Sequence, residues 1–158
     1  MIEIREGRKS DLPRVLELIK ELADFEKASH EVSNTVARLE EDGFGVNPVF
    51  GCFVAEEKQK IYGIALYYYR YSTWKGKRLY LEDIVVTHEK RGIGIGKLLF
   101  EATMKKALSE KCTGMMWQVL DWNSSAIDFY KRYHTRFDHE WINCHLETEQ
   151  IKAFFEAR

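Results

Sequence analysis

Apolar residues recur along the chain with two different periods, and the switches between them mark out its elements. Ile2 and Ile4 alternate with polar neighbours and predict a short first strand. Leu12, Val15, Leu16, Ile19, Leu22 and Ala23 trace one face of a helix over three turns. Ser10 is its expected cap, and Pro13 is tolerated in its first turn. Val36 and Leu39 predict a second, shorter helix that stops at Gly43. Residues 50–56 and 61–71 read as two strands joined by the polar turn 57–60, with Ser72 to Lys77 a loop carrying Trp74. A buried strand over 79–86, a helix over 95–111, a strand over 115–120 and a helix capped by Asn123 follow. Residues 137–146 are expected to add one or two more strands, and 147–157 a closing amphipathic helix with Ile151, Phe154 and Phe155 on one side.

The order β-α-α-β-β-β-α-β-α-β-(β)-α suits an α+β fold, with a mostly antiparallel mixed sheet of six to seven strands flanked by helices. One domain over residues 1–158 is expected, because that length suffices for a sizeable core. Tyr67, Tyr68, Tyr69 and Tyr71 crowd one strand end, where they could fill a core, line a groove or form a subunit interface.

The chemistry concentrates in residues 79–100. Glu82 and Asp83 interrupt the apolar strand, and strict strand alternation sends them to opposite faces and different environments. Arg91-Gly-Ile-Gly-Ile-Gly96 is a glycine-rich turn leading directly into a helix, bracketed by Arg91 and Lys97. Such a turn lets backbone approach a ligand closely and presents free N–H groups and the positive end of a helix dipole, which suits an anion. A P-loop is excluded, since Arg91 stands where its first glycine belongs and Leu98 follows Lys97. The dinucleotide fingerprint fails as well, because Lys97 replaces its last glycine.

Charge changes the picture little. Lys and Arg total 24 against 25 Asp and Glu, which gives no reason to expect nucleic acid or an anionic membrane as partner. Between Glu21 and Asp42, seven carboxylates face only Lys27 and Arg38. A solvated helical hairpin accounts for this more simply than an acidic rim attracting a polycation. No apolar run approaches the ~18 residues of a membrane span, and Met1-Ile-Glu-Ile-Arg5 lacks the signature of a secretory leader. Cys52, Cys112 and Cys144 form no metal or redox spacing, so free thiols in a reducing cytoplasm are expected. His139, Cys144 and His145 fit no common zinc pattern, and no metal is expected.

Two motifs carry a resemblance. Arg91, Gly94 and Gly96 match [QR]-x-x-G-x-[GA], and Asn123-Ser-Ser-Ala126-Ile-Asp-Phe129-Tyr130 matches N-x-x-A-x-x-F-Y about thirty residues later. In that order and spacing they resemble the GNAT N-acetyltransferase superfamily. Glu21-Leu-Ala-Asp-Phe-Glu26, Glu41-Asp-Gly-Phe-Gly45, Trp74-x-Gly76-Lys77, Leu79-Tyr-Leu-Glu-Asp83 and Trp122-Asn123 narrow the likeness to the diamine (spermidine/spermine) N-acetyltransferase branch, which includes enzymes acting on thialysine.

The resemblance implies a GNAT fold and direct transfer of acetyl from acetyl-CoA to a primary amine. Alternative acceptors are a protein lysine or an amino-sugar antibiotic; a non-catalytic acyl-CoA sensor is the alternative outside enzymes. An alkylammonium, with pKa near ~10.4, must lose a proton before it attacks. Glu82 is the candidate base, acting through water. Tyr130 stands at the family's general-acid position. The family's cofactor positions fall on Ile84, Val85, Val86, Arg91, Gly92, Ile93, Gly94, Ile95, Gly96, Lys97, Asn123 and Ala126. A backbone N–H of residues 84–86 would meet the oxyanion if the strand bulges. Phe25, Glu26, Trp74, Glu82, Asp83 and Glu140 fall where the branch binds its amine. Ser72 replaces an aspartate of the polyamine enzymes, which brings a smaller diamine or a lysine-like amine into contention. A homodimer is expected by the same analogy.

Overall fold

The structure, a computed structural model, describes residues 1–157. They form two compact units, Met1–Leu120 and a second beginning at Asp121.

The first unit runs β1 (Glu3–Glu6), α1 (Leu12–Phe25), α2 (Val36–Phe44), β2 (Gly51–Glu57), β3 (Lys60–Ser72), β4 (Gly76–Val86), α3 (Ile95–Ser109) and β5 (Met115–Trp117). Its sheet has five strands in the order β1-β2-β3-β4-β5, antiparallel except for the parallel β4–β5 pair. Leu12, Val15 and Leu18 of α1 and Leu39 of α2 pack with Val54, Ile64 and Val85 on one face. Ala107 of α3 joins Tyr67 and Leu79 on the other. Arg5 of β1 fastens the sheet to the start of α1, donating to Asp11 Oδ2 at 2.7 Å and to Glu56 Oε2 at 2.6 Å. Asp11, rather than Ser10, is the α1 N-cap, after a short 3₁₀ turn, and its carboxylate also accepts from Arg8 N at 2.7 Å.

Helix α2 begins at a Thr35 cap whose hydroxyl accepts from Arg38 N at 3.2 Å, and it runs through Gly43 to Phe44. Gly43 does not end the helix; its missing side chain makes room for the Phe50 ring, whose nearest atom would lie 2.3 Å from a Cβ there. The predicted 72–77 loop shrinks to a tight tip, because β3 and β4 pair as far as Ser72 and Gly76. Strand parity sends Tyr68 to the α1 side and Tyr67, Tyr69 and Tyr71 to the other face, where Tyr67 is buried in the core and Tyr69 and Tyr71, nearer the tip, are exposed.

The second unit holds α4 (Ser124–Lys131), capped as predicted by Asn123 Oδ1 accepting from Ala126 N at 3.2 Å, and α5 (Thr148–Glu156). The expected strands in 137–146 do not form, so the sheet has five strands rather than six or seven. Among the described residues this segment has no ladder partner, and Asp138 bends it locally. Asp138 Oδ1 accepts from Glu140 N at 3.1 Å and Oδ2 from Trp141 Nε1 at 2.8 Å. Side-chain bonds of this kind compete with an extended ladder. No described helix is long and apolar enough to cross a membrane.

Candidate functional site

The site is made by one extra residue in β4. Leu66 of β3 faces Asp83, but the next residue, Tyr67, faces Leu81, which leaves Glu82 as the bulged residue. The core records the consequence. Leu79 packs on the α3 side and Val85 on the α1 side, although both have odd numbers and regular alternation would put them on one face. The bulge therefore reverses the phase of the strand. Glu82 and Asp83 line one cleft of about 440 Å³ on the α1–α2 side, instead of pointing to opposite faces as alternation predicts.

Ile19, Leu39, Phe50 and Leu66 give the cleft apolar walls, and Tyr68, Asn34 and Asp42 add polar ones. Tyr68 Oη donates to Glu82 Oε2 at 3.1 Å; burial, reinforced by Glu82, pushes the phenol up to about 12, which keeps it a donor. Burial also pushes the half-buried Asp83 carboxyl up to about 6, with the charges of Glu82 and Glu26 adding to it. Burial likewise raises Glu26. Among the described residues no ion pair reaches Asp83 or Glu26. A cleft with three lining carboxylates and no lining cation favours a positively charged guest. Asn34 falls in no motif, while Asp42 lies in the Glu41–Gly45 stretch and Tyr68 in the tyrosine run without either being named as a site residue. The acidic run over 21–42 is the signal for Asp42, and a solvated face explains most of its other members.

Past the cleft, β4 leads through the 3₁₀ turn His88–Lys90 into the glycine turn. Gly92 and Gly94 have φ of 78° and 92°, and a Cβ on either would meet nothing within 4 Å. These glycines are required by the backbone and open onto free space, as a cradle for a ligand must. Gly94 is the N-cap of α3, and Leu98 N is the first amide bonded back into the helix, to Gly94 O at 3.1 Å. The N–H groups of Ile95, Gly96 and Lys97 precede it, so they point out of the helix start toward any anion there. β5 pairs with β4 only over Leu79–Leu81, which leaves the far edge of Ile84, Val85 and Val86 without a strand among the described residues. A pyrophosphate on the turn and an amide-bearing arm along this edge both fit.

Within the first unit, Trp74 and Phe25 are not among the residues that line the cleft. Trp74 is 84% exposed at the β3–β4 tip, beyond Gly76, which is itself roughly 20 Å along β4 from Glu82 at ~3.3 Å per residue. Phe25 is partly exposed, with the Arg91 guanidinium 5.2 Å from its ring centre. Tyr130, Asn123, Ala126 and Glu140 belong to the second unit. There Tyr130 is buried against Phe129, with ring centres 5.3 Å apart, and Glu140 is exposed. Burial pushes the Cys52 thiol up to about 11, which makes it inert. No group of three metal-ligating side chains occurs among the described residues.

A bulged strand that places carboxylates in a cleft and then runs into a glycine turn at a helix start suits a cationic guest in the cleft and an anionic one at the turn. The chain belongs to the acetyltransferase (GNAT) family, whose model matches residues 14–134, and it is an acetyl-transferring enzyme. A thialysine N-epsilon-acetyltransferase of Mus musculus is 43% identical, over 81% of this chain and 80% of that protein. A spermidine/spermine N(1)-acetyltransferase-like protein 1 of Homo sapiens is 40% identical over 81% of this chain, though over only 19% of its own length. An aminoglycoside N-acetyltransferase solved in complex with CoA superposes with a TM-score of 0.74 at 20% identity, covering 92% of this chain and 95% of that one.

Proposed function

We propose that this enzyme transfers the acetyl group of acetyl-CoA directly to a primary amine of a small cationic acceptor, a diamine, polyamine or lysine-like amine. The observation that carries this is the bulge at Glu82, which gathers Glu82 and Asp83 into one cleft a few residues before the glycine cradle. The names of the mouse and human relatives point to the same acceptor chemistry.

The cradle from Arg91 to Lys97 holds the pyrophosphate through main-chain N–H groups, and the free edge of Ile84–Val86 aligns the arm that follows it. Acetyl-CoA, when bound, supplies a thioester acetyl, whose transfer forms a C–N bond and breaks a C–S bond. Glu82 Oε1 or Oε2, through water, takes the proton the ammonium must lose. Asp83, at about 6, is ionised at neutral pH and close enough to it to share that task. Tyr130, placed by its Phe–Tyr motif, returns a proton from Oη to the departing sulfur. Tyr130→Phe is expected to lower kcat about 100-fold with little change in CoA affinity. An unchanged kcat removes Tyr130 from this role. The working unit is taken as a homodimer, supported by the exposed apolar residues of the second unit.

The test of the acceptor class is thiol release from acetyl-CoA with putrescine, spermidine, spermine, lysine, thialysine, a lysine peptide and an amine-free control. Turnover above the control with the small cationic amines supports the proposal. Silence across them, or turnover of the peptide alone, overturns it.

A further inference from the structure

The C-terminal half of α1 is fastened to the turn after β4 by two contacts one helical turn apart. Thr87 is buried, and its Oγ1 donates to Glu21 Oε1 at 2.8 Å. Four residues further along α1, the Phe25 ring lies under the Arg91 guanidinium, whose Nε donates to the Val86 carbonyl at 3.0 Å. Thr87 and Arg91 are the residues on either side of the His88–Lys90 turn, through which the chain passes from β4 to the glycine cradle.

The remaining Glu21 oxygen, Oε2, is buried and has no hydrogen-bond partner among the described residues. Leaving a buried carboxylate oxygen unsatisfied is costly. Anchoring α1 does not require that cost, because its fully buried residues Leu12, Val15 and Leu18 all precede Glu21. What the carboxylate does provide is a charge-assisted acceptor, stronger than a neutral one, for the hydroxyl of Thr87.

We propose that Glu21 is a positioning residue for the cofactor turn. Acting through Thr87, and aided by Phe25 under Arg91, it sets the segment from Thr87 to Arg91 so that the cradle amides are aimed before the pyrophosphate arrives. A preformed cradle spares the bound ligand the entropy of ordering the turn. This inference rests on the proposed acetyl-CoA site, and it adds to that site a residue on a different element with no direct contact to the ligand.

The test is calorimetric titration of CoA into the full chain, which needs no knowledge of the acceptor. Wild type, Thr87→Val, Thr87→Ser and Glu21→Ala are compared, with melting temperatures taken on the same samples. Thr87→Val keeps the side-chain shape and removes only the donor. Thr87→Val and Glu21→Ala are expected to weaken CoA about tenfold, or about 1.4 kcal/mol. Thr87→Ser should remain within about twofold of wild type, and kcat at saturating acetyl-CoA should move far less than KM. Thr87→Val binding CoA as tightly as wild type overturns the inference, as does Thr87→Ser binding as weakly as Thr87→Val. A wild type that binds no CoA instead overturns the cofactor site on which the inference stands.

Discussion

Asp83 has a carboxyl pushed up to about 6, first by burial and then by Glu82 and Glu26. The sign of its effect on stability follows. With a folded value above the unfolded one near ~3.9, the native state binds more protons between the two, so this group's contribution falls as pH rises from about 4 to 6. Asp83→Asn is expected to stabilise the fold at pH 7.5, by on the order of 2 kcal/mol, and to lose that advantage at pH 4. Thermal unfolding at the two pH values checks it; an equal difference at both contradicts it. Asp11 behaves oppositely. Its pairing with Arg5 holds it below the usual carboxylate range, so it supports the fold at neutral pH and loses that support only as pH falls through its lowered value. The two aspartates differ because one has a guanidinium beside it and the other is buried near carboxylates with no ion pair among the described residues. A cationic guest in the cleft would relieve the second.

Among the elements, the strand–turn–helix from Leu79 to Phe100 was legible in the sequence because its determinants are local: an apolar run, spaced glycines, then a helical period. The bulge was not. Nothing in the run from Leu79 to Val85 marks Glu82 as extra, and an extra residue shows only against the partner strand, where Tyr67 faces Leu81 and Leu66 faces Asp83. The missing strands of 137–146 have the same cause, since apolar pattern announces a strand but cannot supply the ladder that makes one. Asn123 was different in kind, because a cap is settled within four residues. The glycine turn yields a test of its own. Gly94 has φ of 92° and open space at its Cβ, whereas Gly96 is not in the left-handed region and its Cβ would rest 3.9 Å from Val86. Gly94→Ala is expected to cost about 1 kcal/mol of stability and to weaken CoA binding, and Gly96→Ala to leave stability nearly unchanged. Equal losses in urea unfolding contradict this account of the turn.

At the scale of the whole molecule, the described second unit leaves Trp141, Ile142, Leu146, Phe154 and Phe155 each more than half exposed. Apolar groups gathered in one short segment commonly mark an interface. Light scattering is expected to give twice the chain mass, with Phe154→Ser/Phe155→Ser shifting the equilibrium toward monomer; a monomeric wild type contradicts the homodimer. The acidic run of α1 and α2 also gains meaning only at this scale. Asp42 lines the cleft while Glu31 and Glu41 remain exposed, so composition could not separate binding charge from solvated charge. A cleft for the amine and a cradle for CoA are expected to fail independently. The most direct measurement is acetyl transfer to a cationic amine by Glu82→Gln/Asp83→Asn, with CoA affinity titrated on the same sample. The expected result is a loss of at least about 100-fold in kcat/KM for the amine, with CoA binding within about twofold of wild type. Transfer at the wild-type rate by the double variant would contradict the assignment of the cleft.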